Sequence, residues 1–268
     1  MVAHFIKFDH VAIVAATVQL IKSNTMEAVI LFDFGGTLDW PCHWLDRFLA
    51  HSGAAGLEVD RATLDHAFKA ATAFGYRTAD RMRELNLEAT VRYHLHYQLA
   101  VLRERDDRMR AAIDKHGAGH LEAVIGASFV SESRAGLAAS RTLLERLAER
   151  YRLGVVSNFY GNLDRILAEC GLLPLLAFVA DSSRLGIFKP DPRIFTTALN
   201  ALGARPAATM MVGDSLSKDC APARALGMRT AWLRHRIPGP DASPQAETVV
   251  DFTIDRLAEL QHLKWIEG

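Results

Sequence analysis

A parallel α/β sheet carrying a long all-helical insertion is the fold class that this sequence predicts, and three observations lead there. Apolar runs with strand preference recur along the chain and end in a polar residue, as Val29-Ile30-Leu31-Phe32 ends in Asp33. From Arg134 onward, stretches with helical spacing separate those runs, and such alternation means crossover connections and a parallel sheet. Between the first run and the second, the apolar residues keep helical spacing alone. The expected organisation is an N-terminal extension over residues 1–26, a core of residues 27–38 and 134–268, and a helical insertion over residues 39–133.

The one apolar run of the extension, residues 11–21, is too short to cross a bilayer, and its flanks do not match a signal peptide. Met26 directly precedes the first strand and reads as an alternative start, which would make residues 1–25 dispensable. After Asp33, Gly35-Gly36-Thr37 cannot continue a strand and turns the chain. In the insertion, Leu87, Val91, Leu95, Leu99 and Leu102 recur at helical spacing, as do the flanks 60–74 and 120–130. His94 and His96, two apart, fall on different helix faces and do not share a metal, while Arg77, Arg81, Arg83 and Arg92 read as a solvated face.

A helix bearing Leu137, Leu144, Leu147 and Tyr151 then leads into a strand over 153–158. A helix over 163–170, a strand over 177–181, the turn Phe188-Lys189-Pro190-Asp191-Pro192 and a helix over 193–202 follow. The strand 209–212 runs into Gly213-Asp214, a helix begins near Pro222, and a strand covers 230–233. Residues 238–244 read as a loop, residues 249–251 as a further edge strand, and a final helix closes the chain.

Composition narrows the function classes. Basic and acidic residues number 31 each, so the net charge is zero and no electrostatic footprint for nucleic acid or an anionic membrane exists. Cys42, Cys170 and Cys220 show no paired spacing, which predicts free thiols in a reducing, cytoplasmic setting.

Parallel strands deliver their C-terminal residues to one edge of a sheet, where ligands of open α/β folds bind. That edge is expected to gather Asp33, Ser157, Asp181 and Asp214. Asp33 and Asp214 beside glycine turns make a hard oxygen site suited to Mg2+. Asp219 is positioned to orient a neighbour from behind, and Lys189 is a fixed cation for an anionic group near Asp33.

Together and in this order, Asp33-Phe34-Gly35-Gly36-Thr37, Ser157 after its strand, Lys189 in Gly186-Ile187-Phe188-Lys189-Pro190, and Gly213-Asp214 through Asp219 resemble the four signatures of the haloacid dehalogenase superfamily. The resemblance spans residues 27–260 and implies a Rossmann-like core, a helical cap acting as a mobile lid, and magnesium. It further implies catalytic roles for Asp33 as nucleophile and for Ser157 and Lys189 as phosphoryl ligands. Metal ligation would come from Asp33, the Gly35 carbonyl and Asp214, with Asp219 in support and Thr37 and Asn158 at the turn and substrate.

One position departs from the superfamily's phosphatases. Where they carry a second aspartate as general acid and base, this chain has Gly35, which has no side chain to move a proton. Asp39 and His43 are the nearby groups that could substitute, or they are ordinary loop polarity. Three functions follow: a phosphatase on a small phosphorylated metabolite, a phosphate-binding or regulatory protein with weak or no turnover, or a carbon-halogen or carbon-phosphorus hydrolase. The aromatic residues Trp40, Trp44, Phe74 and Tyr93 are candidates for pocket walls or for packing.

Overall fold

The structure is a computed structural model and describes residues 28–40, 42–235 and 250–265. The expectations for residues 1–26 and 238–244 lie outside the described residues. Six strands, β1 (Val29–Phe32), β2 (Arg152–Ser157), β3 (Phe178–Asp181), β4 (Thr209–Gly213), β5 (Arg229–Leu233) and β6 (Phe252–Ile254), form one sheet in the order β3-β2-β1-β4-β5-β6. Every pairing is parallel, as the alternation of strands and helices required.

Each strand of the centre is buried on both faces, because helices cover both. Ile30 and Phe32 point to one side with Val155 and Val212, while Val29 and Leu31 point to the other, against Ile194, Phe195 and Leu199 of the helix Pro192–Leu202. The chain runs outward in one direction from β1 through β2 to β3, then returns to β4 and proceeds the other way. The reversal lies between β1 and β4, and that is the crevice where an α/β sheet holds its ligand.

Between β1 and β2 no strand occurs among the described residues, and the longer helices are α1 (Trp44–Ala54), α2 (Arg61–Arg77), α3 (Leu87–Arg105), α4 (Asp107–His116) and α5 (Ala118–Leu147). Side chains cap their starts: Asp60 accepts from Thr63 N–H, Asn86 from Ala89 N–H, and Asp106 from Met109 N–H. The buried residues Leu87, Val91, Leu95, Leu99 and Leu102 form the inner stripe of α3. His94 is buried while His96 faces solvent against Glu122, and all four of the insertion's arginines named above are exposed.

Four features differ from expectation. The helix α5 is 30 residues long and crosses the boundary drawn at 133/134 without a break, since its buried stripe from Leu121 to Leu147 is continuous. Tyr151 lies beyond the end of that helix. The edge strand is Phe252–Ile254 rather than 249–251, and the last helical segment, Leu257–His262, is a tighter three-residue-per-turn helix. All three cysteines are free, Cys220 buried and the other two half-buried. Among the described residues no helix is long and apolar enough to cross a membrane.

Candidate active site

The register of the sheet fixes the first side chain. Phe32 is level with Val155 and Val212, so Asp33 emerges one residue beyond the last pairs of β1, and its N–H still bonds the Val212 carbonyl at 2.9 Å. The chain then turns at Gly36, whose φ of 80° is the left-handed region where glycine alone is unstrained. A Cβ at Gly36 would come 2.6 Å from Asp214 Oδ2, so the turn can press against that carboxylate only because position 36 has no side chain.

Asp214 follows β4 directly, and Asp219 lies in the helical turn after it. Carboxylate oxygens of Asp33, Asp214 and Asp219 lie within 4.8 Å of one another. Lys189 reaches into this group from the loop before the helix Pro192–Leu202. Its ammonium donates to Asp33 Oδ1 at 2.7 Å and to Asp219 Oδ1 at 2.6 Å. Burial alone would pull that ammonium's pKa down, but the two carboxylates outweigh it and hold the lysine charged. Burial and the neighbouring charges of Asp33 and Asp214 push the Asp219 carboxyl up to about 7 against the pull of Lys189. Burial also acts to raise Asp214, yet His235, His43 and Lys189 together hold it below the usual carboxylate value.

The oxygens are not equally available. Asp219 spends one on Lys189 and the other on the Ser215 N–H at 3.1 Å, which makes it a holder of the lysine and of the loop. Asp33 gives Lys189 one oxygen and keeps the other, while the nearest ion-pair partner of the Asp214 carboxylate among the described residues is His235, 3.5 Å away and beyond a good hydrogen bond. Three carboxylates against one ammonium leave the cluster short of positive charge, and the spare donors are hard oxygens. The residues present therefore fit a Mg2+ ion, with Asp33 and Asp214 as its side-chain ligands.

Two hydroxyls wait beside the cluster. Ser157 ends β2 and is buried, and its hydroxyl has no hydrogen bond to the described residues. The Thr37 hydroxyl is buried without a partner as well. Native interiors rarely leave such groups unpaired, so a ligand or water is the expected partner. Asn158 is used differently: its amide donates to the Lys189 carbonyl at 3.0 Å and accepts the Lys189 N–H at 2.7 Å. It clamps the main chain that carries the lysine.

Asp181 does not join the site. Its carboxylate takes the N–H groups of Gly161, Leu163 and Ser183 and so organises the loop after β2. Asp39, one candidate to replace a side chain at position 35, is fully buried and accepts from Gly36 N–H at 2.7 Å, Trp44 Nε1 at 2.6 Å and Arg47 Nη1 at 3.0 Å. Arg47 in turn bonds the Phe129 carbonyl, Ser133 and Glu132, tying α1 to α5. The indole of Trp44 lies over Gly35, its Nε1 3.4 Å from where a Cβ would stand.

Sequence reasoning missed His235 and Tyr76. His235 stands two residues beyond the end of β5, where Asp214 stands one beyond β4, so looking a little past each strand end could have found it. Tyr76 lies in the last turn of α2, and its phenol is raised by burial and by the nearby charges of Asp181 and Asp33, but nothing in a helical pattern marks such a residue.

The chain is 36% identical over 128 residues to haloacid dehalogenase-like hydrolase domain-containing protein 3 of Danio rerio, covering 46% of this chain and 52% of that one. It is 38% identical over 109 residues to a phosphoserine phosphatase of Thermus thermophilus, covering 40% and 44%. The chain thus spans about half the length of the curated relatives it matches. A crystal structure of a dehalogenase with an intermediate complex superposes with a TM-score of 0.56 at 17% identity, over 91% of this chain and 99% of that one, which shows the shared fold. Residues 28–227 match the family profile described as haloacid dehalogenase-like hydrolase, and the chain belongs to that family.

Proposed function

We propose that this protein is a Mg2+-dependent phosphatase acting on a small phosphorylated metabolite through a phosphoryl-aspartate formed on Asp33. The observation that carries the reading is the pairing of Asp33 with Lys189 at 2.7 Å inside a cluster of three carboxylates. An ammonium held there orients the Asp33 carboxylate and offers charge to an incoming phosphoryl group.

In this reading one carboxylate oxygen of Asp33 attacks phosphorus as the bond to the leaving oxygen breaks, and water then cleaves the phosphoryl-aspartate to give phosphate and restore Asp33. The buried Ser157 hydroxyl and the Lys189 ammonium bind the equatorial oxygens, where charge accumulates during transfer. Asn158 keeps the lysine at its station, and Asp219 shares the ammonium so that it does not collapse wholly onto the nucleophile. Magnesium bound by Asp33, Asp214 and the Gly35 carbonyl would neutralise phosphoryl charge and orient the group. The helical insertion serves as the cap over this edge, and the free thiols suit a cytoplasmic setting.

Hydrolysis of para-nitrophenyl phosphate tests the reading. Turnover that needs Mg2+, stops with chelator and falls on the order of 10⁴-fold or more in Asp33→Asn is the expected outcome. Phosphate binding without turnover would assign the chain to a binding role instead.

A further inference from the structure

We infer that His235 tunes which metal the site prefers: its imidazole nitrogen is a further ligand for a borderline cation such as Co2+ or Ni2+, and Mg2+ leaves it aside. The inference rests on the reading above that Asp33 and Asp214 hold a divalent cation. His235 reaches the carboxylate cluster from β5, a strand that supplies nothing to the phosphoryl chemistry above.

The sheet brings the two side chains together. Gly213 of β4 is level with Trp232 of β5, and side chains alternate between the faces of a strand. Val212 and Leu233 point to the same side as Ile30 and Phe32, and Asp214 and His235 follow two residues later on those two rows. The sheet still holds the chain beyond Leu233, because the Arg234 N–H donates to the Ile254 carbonyl of β6 at 2.8 Å. Asp214 is fixed from the same strand, since Trp232 Nε1 donates to its main-chain carbonyl at 3.0 Å. Strand β5 thus anchors the main chain of one metal ligand and sets an imidazole beside its carboxylate.

The side chains of His235 and Asp214 are 8% and 7% exposed, and Nε2 stands 3.5 Å from Oδ2. A charge-assisted hydrogen bond would be shorter, at about 2.7–2.9 Å. Two donors on one cation at ~2.1 Å each lie ~3.0–3.4 Å apart at octahedral to tetrahedral angles, close to the separation found. Nε2 is enclosed and makes no hydrogen bond to the described residues, so a cation lying against Asp214 Oδ2 is within its reach. Imidazole nitrogen suits Co2+ and Ni2+, whereas Mg2+ takes oxygen ligands and keeps its waters. Two carboxylates and one imidazole therefore make a mixed site, in which the oxygens alone hold Mg2+ and Co2+ gains the nitrogen.

Cobalt X-ray absorption of the full chain loaded with one equivalent of Co2+ tests this, in wild type and in His235→Ala. The outer-shell scattering of an imidazole is expected in wild type and is expected to vanish in His235→Ala. Losing even a supporting partner of a metal ligand costs ~10–100-fold in affinity. Titration calorimetry should accordingly show Co2+ weakened ~10-fold or more in His235→Ala and Mg2+ by less than ~3-fold. Wild-type Co2+ bound without imidazole scattering, a result that needs no variant, would overturn the inference, as would scattering that persists in His235→Ala. Equal weakening of the two metals would make His235 a prop for the Asp214 carboxylate, and no weakening of either would leave it without a role at the metal. Both results overturn the inference and leave the phosphatase reading standing. Failure of the full chain to bind either metal would overturn the metal-dependent reading itself, and this inference with it.

Discussion

Two buried acid clusters flank the turn at Gly35 and Gly36, and they differ in how their charge is spent. On the sheet side, Asp33, Asp214 and Asp219 share one ammonium and leave carboxylate oxygens uncommitted. On the insertion side, Asp39 is paired with Arg47, and its oxygens are filled by Gly36, Trp44 and Arg47. Burial is nearly equal, with the side chain of Lys189 2% exposed and that of Arg47 1%. Burying charge without full compensation is costly, so the open cluster has room for a cationic ligand, whereas the closed one fills its own hydrogen bonds and serves as scaffold.

The same substitution in the two clusters should therefore have unequal effects. Asp39→Asn removes the buried one of the two carboxylates paired with Arg47 and leaves only Glu132, and it is expected to lower unfolding stability by about 2–3 kcal/mol. Asp214→Asn removes one of three crowded carboxylates but also a charge that its cationic neighbours favour, and in chelator-treated buffer it should cost less stability than Asp39→Asn while activity is lost. Urea denaturation of both variants measures this, and equal destabilisation by the two would erase the distinction.

A third polar cluster, within the insertion, sharpens the comparison more gently. His94 is buried, accepts from Gln98 at 2.8 Å, bonds Thr72 at 3.0 Å and stacks on Phe48, and burial lowers its pKa from 6.5 to about 3. Below pH 6.5 the unfolded chain takes up a proton that the folded one refuses, so stability present above that pH is lost as pH falls toward 3. The loss is about 1.4 kcal/mol per pH unit, or about 2 kcal/mol at pH 5. His94→Leu should flatten the fall in urea midpoint between pH 7 and pH 5. An unchanged slope would show that His94 is not the group that titrates.

The open cluster was legible in the sequence and the closed one was not, for a physical reason. Asp33, Ser157 and Asp214 each end an apolar run, and parallel pairing alone brings such ends to one edge. Lys189 required the order of four motifs, because its loop has no pattern of its own. Asp39 looked like a spare acid because its partners are set by packing: Arg47 reaches it only after α1 has docked on Phe129, Glu132 and Ser133 of α5. Asp181 fits the strand-end rule as well as Asp214 does, but the loop that captures its carboxylate comes earlier in the chain, at Gly161 and Leu163. The unbroken passage of α5 from insertion to core was hidden because a helical pattern does not mark where one packing neighbour gives way to another.

Mass spectrometry of the protein acid-quenched during turnover of phenyl phosphate with Mg2+ tests the central claim most directly. A phosphoryl group on the peptide that contains Asp33, absent in Asp33→Asn, is the result expected. Turnover without any phosphorylated peptide, or with the group on another residue, would contradict the role given to the open cluster.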